Sequence, residues 1–367
     1  MKTTIYKLVF LIVLSPTIAF CNNPGHNSDI EGRHTKEKKI SKKFSVAADA
    51  ILKINNSYGN IDISTWDQNT VSIEVFIKTN GNDEEKVQQK LDDIRIEFNQ
   101  TSAGVSAITH FSKESNSFWN MLFGNNSNVN MEINYIIKAP VTNNVDLNNE
   151  YGNIFIDKLK GNSKISCDYG RIAIGELLGT SNNINFDYSR NSHFDYINKA
   201  IINADYSNFT IGEAKTLNIN ADYTKSHIKK VELIQFSADY GSMNVEKLKR
   251  IVGTGDYISV KLGQVFQSAE LDLDYGNLEI DKVIKGAGAI KITTDYAGVK
   301  IGYAEDHPFQ FTVNTSYGSV NGMENFEVDK QNQTSTNKSY AGYHLNNSTS
   351  STITVKSNYA GITFKQK

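Results

Sequence analysis

Eight aspartates each stand immediately before a tyrosine that recurs at a regular interval: Asp168, Asp187, Asp205, Asp222, Asp239, Asp256, Asp274 and Asp295. Carboxylates repeated at so regular an interval could do three kinds of chemistry. A strip of them could hold divalent cations, but Ca²⁺ takes six to eight oxygen ligands, so one carboxylate per repeat needs help from carbonyls and water. Two of them near a Lys or Arg could act as acid and base on a polysaccharide. Or each could accept hydrogen bonds from turn amides one or two residues further on, as Asp does in Asx turns. The regularity favours the third role, because a catalytic pair would depart from the repeat.

The remaining reactive side chains are sparse. His26 and His34 lie in a polar N-terminal stretch, and His110, His193, His227, His307 and His344 are scattered. None has metal-site spacing with a cysteine or another histidine. His193 and His227 fall near inward positions of the repeat and read as semi-buried structural histidines. No G-x-S-x-G elbow and no P-loop pattern occurs. The expectation is therefore a non-enzymatic protein without a cofactor, with Ca²⁺ as the one candidate ion. With 38 basic and 40 acidic residues, no global field draws in nucleic acid.

The elements that carry these residues are read from the repeat, an apolar-x-small-Asp-Tyr-Gly-x-apolar-x-apolar unit. Its tyrosines are Tyr58, Tyr151, Tyr169, Tyr188, Tyr206, Tyr223, Tyr240, Tyr257, Tyr275, Tyr296, Tyr317, Tyr340 and Tyr359. From Tyr151 onward they recur every 17 to 23 residues. Propeller blades need about 40 residues or more, and hairpins do not demand one residue type at one register, so the repeat predicts an all-β, single-stack parallel β-solenoid with two short strands per rung. Equivalent side chains would then form ladders about 4.8 Å apart.

The two-residue strand period assigns the faces. Four residues before the tyrosine stand Ile54, Leu147, Ile165, Ile184, Ile202 and their equivalents, with Gly253 and Thr336 as exceptions. Two before it stand small residues such as Cys167, Ala204 and Ala221. By this parity the tyrosines face inward and the aspartates outward. Three and five residues after the tyrosine the chain is again apolar, as at Ile172 and Ile174, except in the Tyr188 rung, where Asn191 and His193 predict a local distortion. If the corners left the rings exposed instead, the ladder would be an aromatic surface for glycan or protein. Cys167, flanked by Ile165, reads as a buried structural thiol, and no intrachain disulfide is expected.

The first tyrosine gap, 93 residues, must hold an insertion, here placed at 65–150. It reads as strands over 71–77, 94–98, 105–109 and 129–137, with a short amphipathic helix over 84–91. It is expected to cap the first rungs. Phe118, Trp119, Met121, Leu122 and Phe123 stand out as an apolar plug under that cap or a partner contact. Before the solenoid domain at 44–367, residues 1–19 have the basic, apolar and small-residue order of an export signal, with cleavage as late as 21 as an alternative. Residues 20–43 are expected to be a flexible polar linker. Cys21 could carry a lipid, but Phe20 argues against it, since the residue before a lipidated cysteine is normally small. No transmembrane span is expected after signal removal.

The segments SYGNIDISTWDQNTVSIEVFI (57–77), EEKVQQKLDDIRIEF (84–98) and MEINYIIKAPVTNNVDLNNEYGNIFI (131–156), with the rungs beyond them, resemble the bacterial putative-adhesin family of exported β-solenoid domains. The resemblance covers about residues 44 to 367 and rests on degenerate motifs. It implies a scaffold in the periplasm, at the cell surface or outside the cell, whose partner is a protein or glycan of the envelope. It carries no catalytic residues.

Overall fold

The computed structural model describes residues 32–112 and 129–367; the expected export signal, Cys21 and the Phe118, Trp119, Phe123 group lie outside them. The described residues form parallel rungs, each a strand, a tyrosine corner, a second strand and a closing turn. On the strand before the corner, one inward ladder runs Ile54, Leu147, Ile165, Ile184, Ile202, Ile219, Phe236, Gly253, Leu271, Ile292, Val355, Val313, each directly paired with the next. On the strand after it, the ladder runs Ile63, Ile156, Ile174, Phe194, Ile211, Ile228, Val245, Leu262, Ile280, Ile301, Phe364. All these side chains except the glycine belong to one continuous apolar core, which supplies the neighbour-to-neighbour burial a solenoid depends on.

The last members of both ladders are out of chain order. After the Tyr296 rung the chain does not continue onto the next layer. Strand Phe309–Ser316, which leads to Tyr317, is set one layer too far, and the gap is filled by Thr352–Asn358 from the C-terminal end. Ile362–Gln366 likewise pairs between Gly298–Tyr303 and Val320–Asn321. So the Tyr359 rung, the last in sequence, is intercalated between the Tyr296 and Tyr317 rungs. Tyr340 is not a rung tyrosine either. It lies in Asn337–His344, which runs antiparallel to Phe309–Ser316 and begins the C-terminal cap with Glu327–Gln333.

The insertion builds the opposite end. Gly104–Phe111 stacks parallel on Ile51–Ser57, and Val129–Pro140 on Ile61–Trp66. Antiparallel strands Ile94–Thr101 and Thr70–Gly81 follow outside them. The helix Glu84–Asp93 is capped by Asp83, whose carboxylate accepts from the Lys86 amide at 3.2 Å, and it buries Val87 and Leu91. The outermost strand is His34–Ser45, paired along its whole length with Thr70–Gly81. That corrects the linker expected over 20–43: from His34 the polar run is an edge strand, with Ile40 and Phe44 packed against the core and its lysines in water. Such charges discourage pairing with another chain. Among the described residues no helix is long and apolar enough to cross a membrane.

Gly253 explains itself in this stack. Its inward neighbour is Phe236, and a Cβ at 253 would lie 2.0 Å from the Phe236 ring. One rung overfills its share of the core and the next leaves room. Gly253→Val should cost about 1–3 kcal/mol by overpacking, read as a lowered Tm. Adding Phe236→Leu to the same chain should recover part of the loss; additive losses would contradict the pairing.

Candidate functional site

The tyrosine corner is the most repeated surface of the protein. Each of the twelve ladder tyrosines has φ between 49° and 63°, in the left-handed region. The alternation that put Ile165 and Cys167 inside therefore ends at Cys167. A residue in this conformation reverses the chain, and its side chain leaves the core side. The rings consequently stand outside the corner: eleven are between 45% exposed, at Tyr275, and 62%, at Tyr317, and Tyr58, beside the insertion, is half-buried. This corrects the inward placement expected from strand parity.

Parallel layers hold these rings in register. The stack runs Tyr58, Tyr151, Tyr169, Tyr188, Tyr206, Tyr223, Tyr240, Tyr257, Tyr275, Tyr296, Tyr359, Tyr317. Successive centroids lie 4.6–5.2 Å apart, with planes within 10° of each other. Left-handed backbone at a non-glycine residue costs about 1–2 kcal/mol. A stacked pair contributes about 0.5–1.5 kcal/mol beyond area. Burying half a ring, roughly 100 Å², adds about 2.5 kcal/mol. Stacking and burial together outweigh the strain.

The backbone beside the rings is tied layer to layer. Each ladder tyrosine amide donates to a carbonyl in the next layer, such as Tyr206 to Asp222 and Tyr240 to Asp256, both at 3.0 Å. After the tyrosine there is little space: a Cβ at Gly170 would come 1.9 Å from the Gly152 carbonyl oxygen. Where the following residue is not glycine, a small hydroxyl can replace it. Ser189, Ser207 and Thr224 are buried and donate to main-chain carbonyls of their own and the preceding layer. The Ser189 amide in turn donates to Ser207 Oγ, and the Ser207 amide to Thr224 Oγ1.

The aspartates face outward as expected, but their partners differ from an Asx turn. Oδ1 of Asp168 accepts from the Asp187 amide, Asp187 from Asp205, Asp205 from Asp222, Asp222 from Asp239, and Asp239 from Asp256, at 2.9–3.2 Å. Asp274 accepts in the same way from Asp295. In these six, one oxygen thus carries the ladder and the other is left for solvent or a partner, while Asp295 accepts from the Asn358 side chain at 2.6 Å. Partial desolvation first, then Asp239, Asp274 and Asp272, push Asp256 above the usual aspartate value. Folding then favours its neutral form, so its contribution to stability declines as pH rises through the ordinary value of 3.8. Desolvation, neighbouring tyrosines and then the aspartates likewise raise Tyr169, Tyr206 and Tyr240.

Other sequence candidates fall outside this strip. Cys167 is buried, its thiol donates to the Gly152 carbonyl at 3.4 Å, and burial pushes it up to about 12, so it has no thiolate chemistry near neutrality. His193 and His227 sit between inward residues, Ser192 and Phe194 in one case and Ser226 and Ile228 in the other. Both histidines are half-exposed and contact Asp195 at 2.7 Å and Glu246 at 2.8 Å. The irregular Tyr188 rung contains one extra residue, Asn191, absorbed at φ 60°. Ser192 thereby takes the position expected of Asn191, and Phe194 takes the inward place expected of His193. Among the described residues no three His, Cys, Asp or Glu side chains gather to hold a metal ion.

A separate groove of ≈ 390 Å³ lies at the C-terminal cap. Asn314, Ser316, Asn332, Thr334, Asn337 and Lys356 are among its lining residues. It is formed because the antiparallel cap strands extend the sheet beyond the last rung, which the repeat pattern does not foretell.

No family model matches the chain, and no curated protein matches it. Solved structures similar to it include a putative cell adhesion protein from Clostridium sporogenes, 11% identical, with 90% of this chain and 100% of that chain covered at a TM-score of 0.20. A putative adhesin from Bacteroides fragilis is 11% identical over 89% of this chain and 97% of that one, at 0.30. A putative adhesin from Parabacteroides merdae is 11% identical over 74% and 98%, at 0.38. Likeness this loose carries no argument about what the strip does.

The energetics of the corner can be checked directly. Tyr240→Ala removes two stacking contacts and the half-buried ring face while keeping the backbone strain, so it should cost about 3–5 kcal/mol. Tyr240→Gly loses the same contacts but relieves the strain, and should be the more stable of the two by roughly 1 kcal/mol. Thermal melts of the two variants decide it; equal stability would mean that the left-handed corner carries no strain.

Proposed function

We propose that this chain is a non-enzymatic scaffold, exported to the cell envelope or surface, that presents its tyrosine–aspartate strip to a partner. The observation that carries the reading is the outward ladder itself: large aromatic side chains held half in water along the whole stack. A core role would bury them, and contiguous exposed apolar surface usually marks an interaction site. The acids repeat in register and do not converge on a cleft, which fits presentation better than hydrolysis. The export-signal pattern at residues 1–19 supports a location outside the cytoplasm.

The chemistry of the strip narrows the partner. Ring faces cover each other, so a sugar cannot stack on them within the ladder. What the strip offers is ring edges, phenol hydroxyls and one carboxylate oxygen per layer. These suit a partner rich in hydrogen-bond donors, such as a protein of the envelope. Binding of the mature chain to envelope preparations should fall at least tenfold when Tyr206, Tyr223 and Tyr240 are all changed to Gly, with circular dichroism unchanged. Undiminished binding by a folded triple variant would remove the strip from the function.

The polar groove supports a second reading, glycan binding at the C-terminal cap, because amide and hydroxyl side chains pair well with sugar hydroxyls. On a glycan array this reading expects signal that persists in the triple tyrosine variant and is lost in Asn314→Ala. The opposite pattern, or none, would reject it.

A further inference from the structure

The intercalated C-terminal rung needs something to hold it. The chain leaves the stack at Ala304–Pro308, skipping one layer, and returns through Leu345–Ser351 to fill that layer. The outgoing and returning segments run side by side. Thr349 Oγ1 donates to the Pro308 carbonyl at 3.4 Å, and Gln310 Nε2 to the Thr349 carbonyl at 2.8 Å. At their start, His344 Nδ1–H donates to the His307 carbonyl at 2.8 Å. Leu345, next along, is exposed and held at φ 65°, a strained conformation for a leucine.

His307 is the odd member of this clasp. Its side chain is fully buried, at 0% exposure, yet neither ring nitrogen has a hydrogen-bond partner. Its ring lies 5.5 Å from Phe309, which with Tyr303, Phe326 and His344 forms an aromatic cluster. Neutral imidazole is tolerated there as an aromatic. Imidazolium is not, because a buried charge without an acceptor carries a large desolvation cost.

Of the groups that act on it, Asp306 alone favours the charged ring, and less strongly than burial and His344 disfavour it. Asp306, beside it in the chain, is exposed and engages Lys285 at 3.3 Å. His344, from the cap strand, is a like charge when protonated. Tyr303 is the other titratable member of the aromatic cluster, against Phe309 and His344, and Glu324 acts on it. We propose that His307 is an acid-sensitive latch, whose protonation releases the outgoing and returning segments and lets the C-terminal rung leave the stack.

The sign follows from burial, which with His344 holds His307 below its ordinary value of 6.5. The fold favours the neutral ring, so the latch is fully closed above 6.5 and loses stability as pH falls through that value toward the lower folded one. Aspartate and glutamate titrate mostly lower, which separates the two responses.

The test is hydrogen exchange by mass spectrometry on the folded chain at about pH 7.5 and about pH 5, corrected for intrinsic rates. Peptides covering 304–308 and 345–366 should lose protection at least tenfold at the lower pH, while the Tyr206 to Tyr257 rungs keep theirs. His307→Phe, which matches the aromatic cluster, should abolish the response. Protection that is independent of pH, or an acid response retained in His307→Phe, would overturn the proposal. Should that variant fail to fold, imidazole C2–H exchange on the wild-type chain decides: a His307 that titrates at or above the ordinary histidine value sinks the latch.

Discussion

The whole molecule depends on one constraint: every layer lies one strand spacing above the last and in the same register. A residue at a given position therefore packs mainly against its own equivalents. Aliphatic residues satisfy this at once, which is why Ile and Val dominate the inward ladders. Polar residues satisfy it only by bonding to the next copy. Asn56 and Asn149, buried in adjacent layers, share a hydrogen bond at 3.2 Å and donate to nearby carbonyls. The aspartates solve a harder version, since like charges at this spacing repel. Six of the eight give one oxygen to the next layer's amide and turn the rest toward water, where screening is greatest. Tyrosine fits the corner because its flat ring stacks on itself better than any charged or branched side chain could.

The same constraint leaves a problem at each end, where a layer has no neighbour. Both ends are covered by antiparallel strands that break the repeat: residues 94–101 and 70–81 at one, 327–333 and 337–344 at the other. Antiparallel pairing there also ends the register match that would let another solenoid stack on top. The intercalated rung goes further. By inserting Thr352–Asn358 beneath Phe309–Ser316, the chain ties its C-terminal segment inside the structure, with strands on both sides. A segment that would otherwise fray becomes part of the stack, at the cost of two crossing segments that must be clasped.

Much of this was legible in the residues. The rung length, the inward places of Ile165, Cys167, Ile172 and Ile174, and the irregular Tyr188 corner all follow from spacing and parity. The tyrosine orientation did not follow, because parity assumes extended backbone through every residue and Tyr169 is left-handed. Nothing local marks that conformation except the glycine or small residue after it, which reads equally well as an ordinary turn. Tyr340 was misplaced because Ser339-Tyr340-Ala341-Gly342 nearly copies Asn358-Tyr359-Ala360-Gly361, although Thr336 lacked the apolar character expected four residues before. The layer order near the C-terminus was hidden for a deeper reason. Rungs that look alike can exchange neighbours without changing any local pattern, so only the long connections between them carry the information.

The outward ladder has a further consequence for recognition. Within the stack each ring spends both faces on its neighbours, so aromatic chemistry normally available to a ligand is absent along the strip. Free faces can exist only at the ends. At one end Tyr58 meets Phe111 edge-on at 6.1 Å, so an aromatic of the insertion stands there. At the other, Tyr317 stacks on Tyr359 and is the most exposed ring of the ladder. The strip and its terminus are thus chemically different surfaces made of the same residue. A partner reading hydroxyls and carboxylates can engage anywhere along the length, with affinity that grows with the number of layers touched. Within the ladder, the ring face left for a stacking partner is the outer one of Tyr317, whose neighbour Ser316 lines the polar groove of the cap.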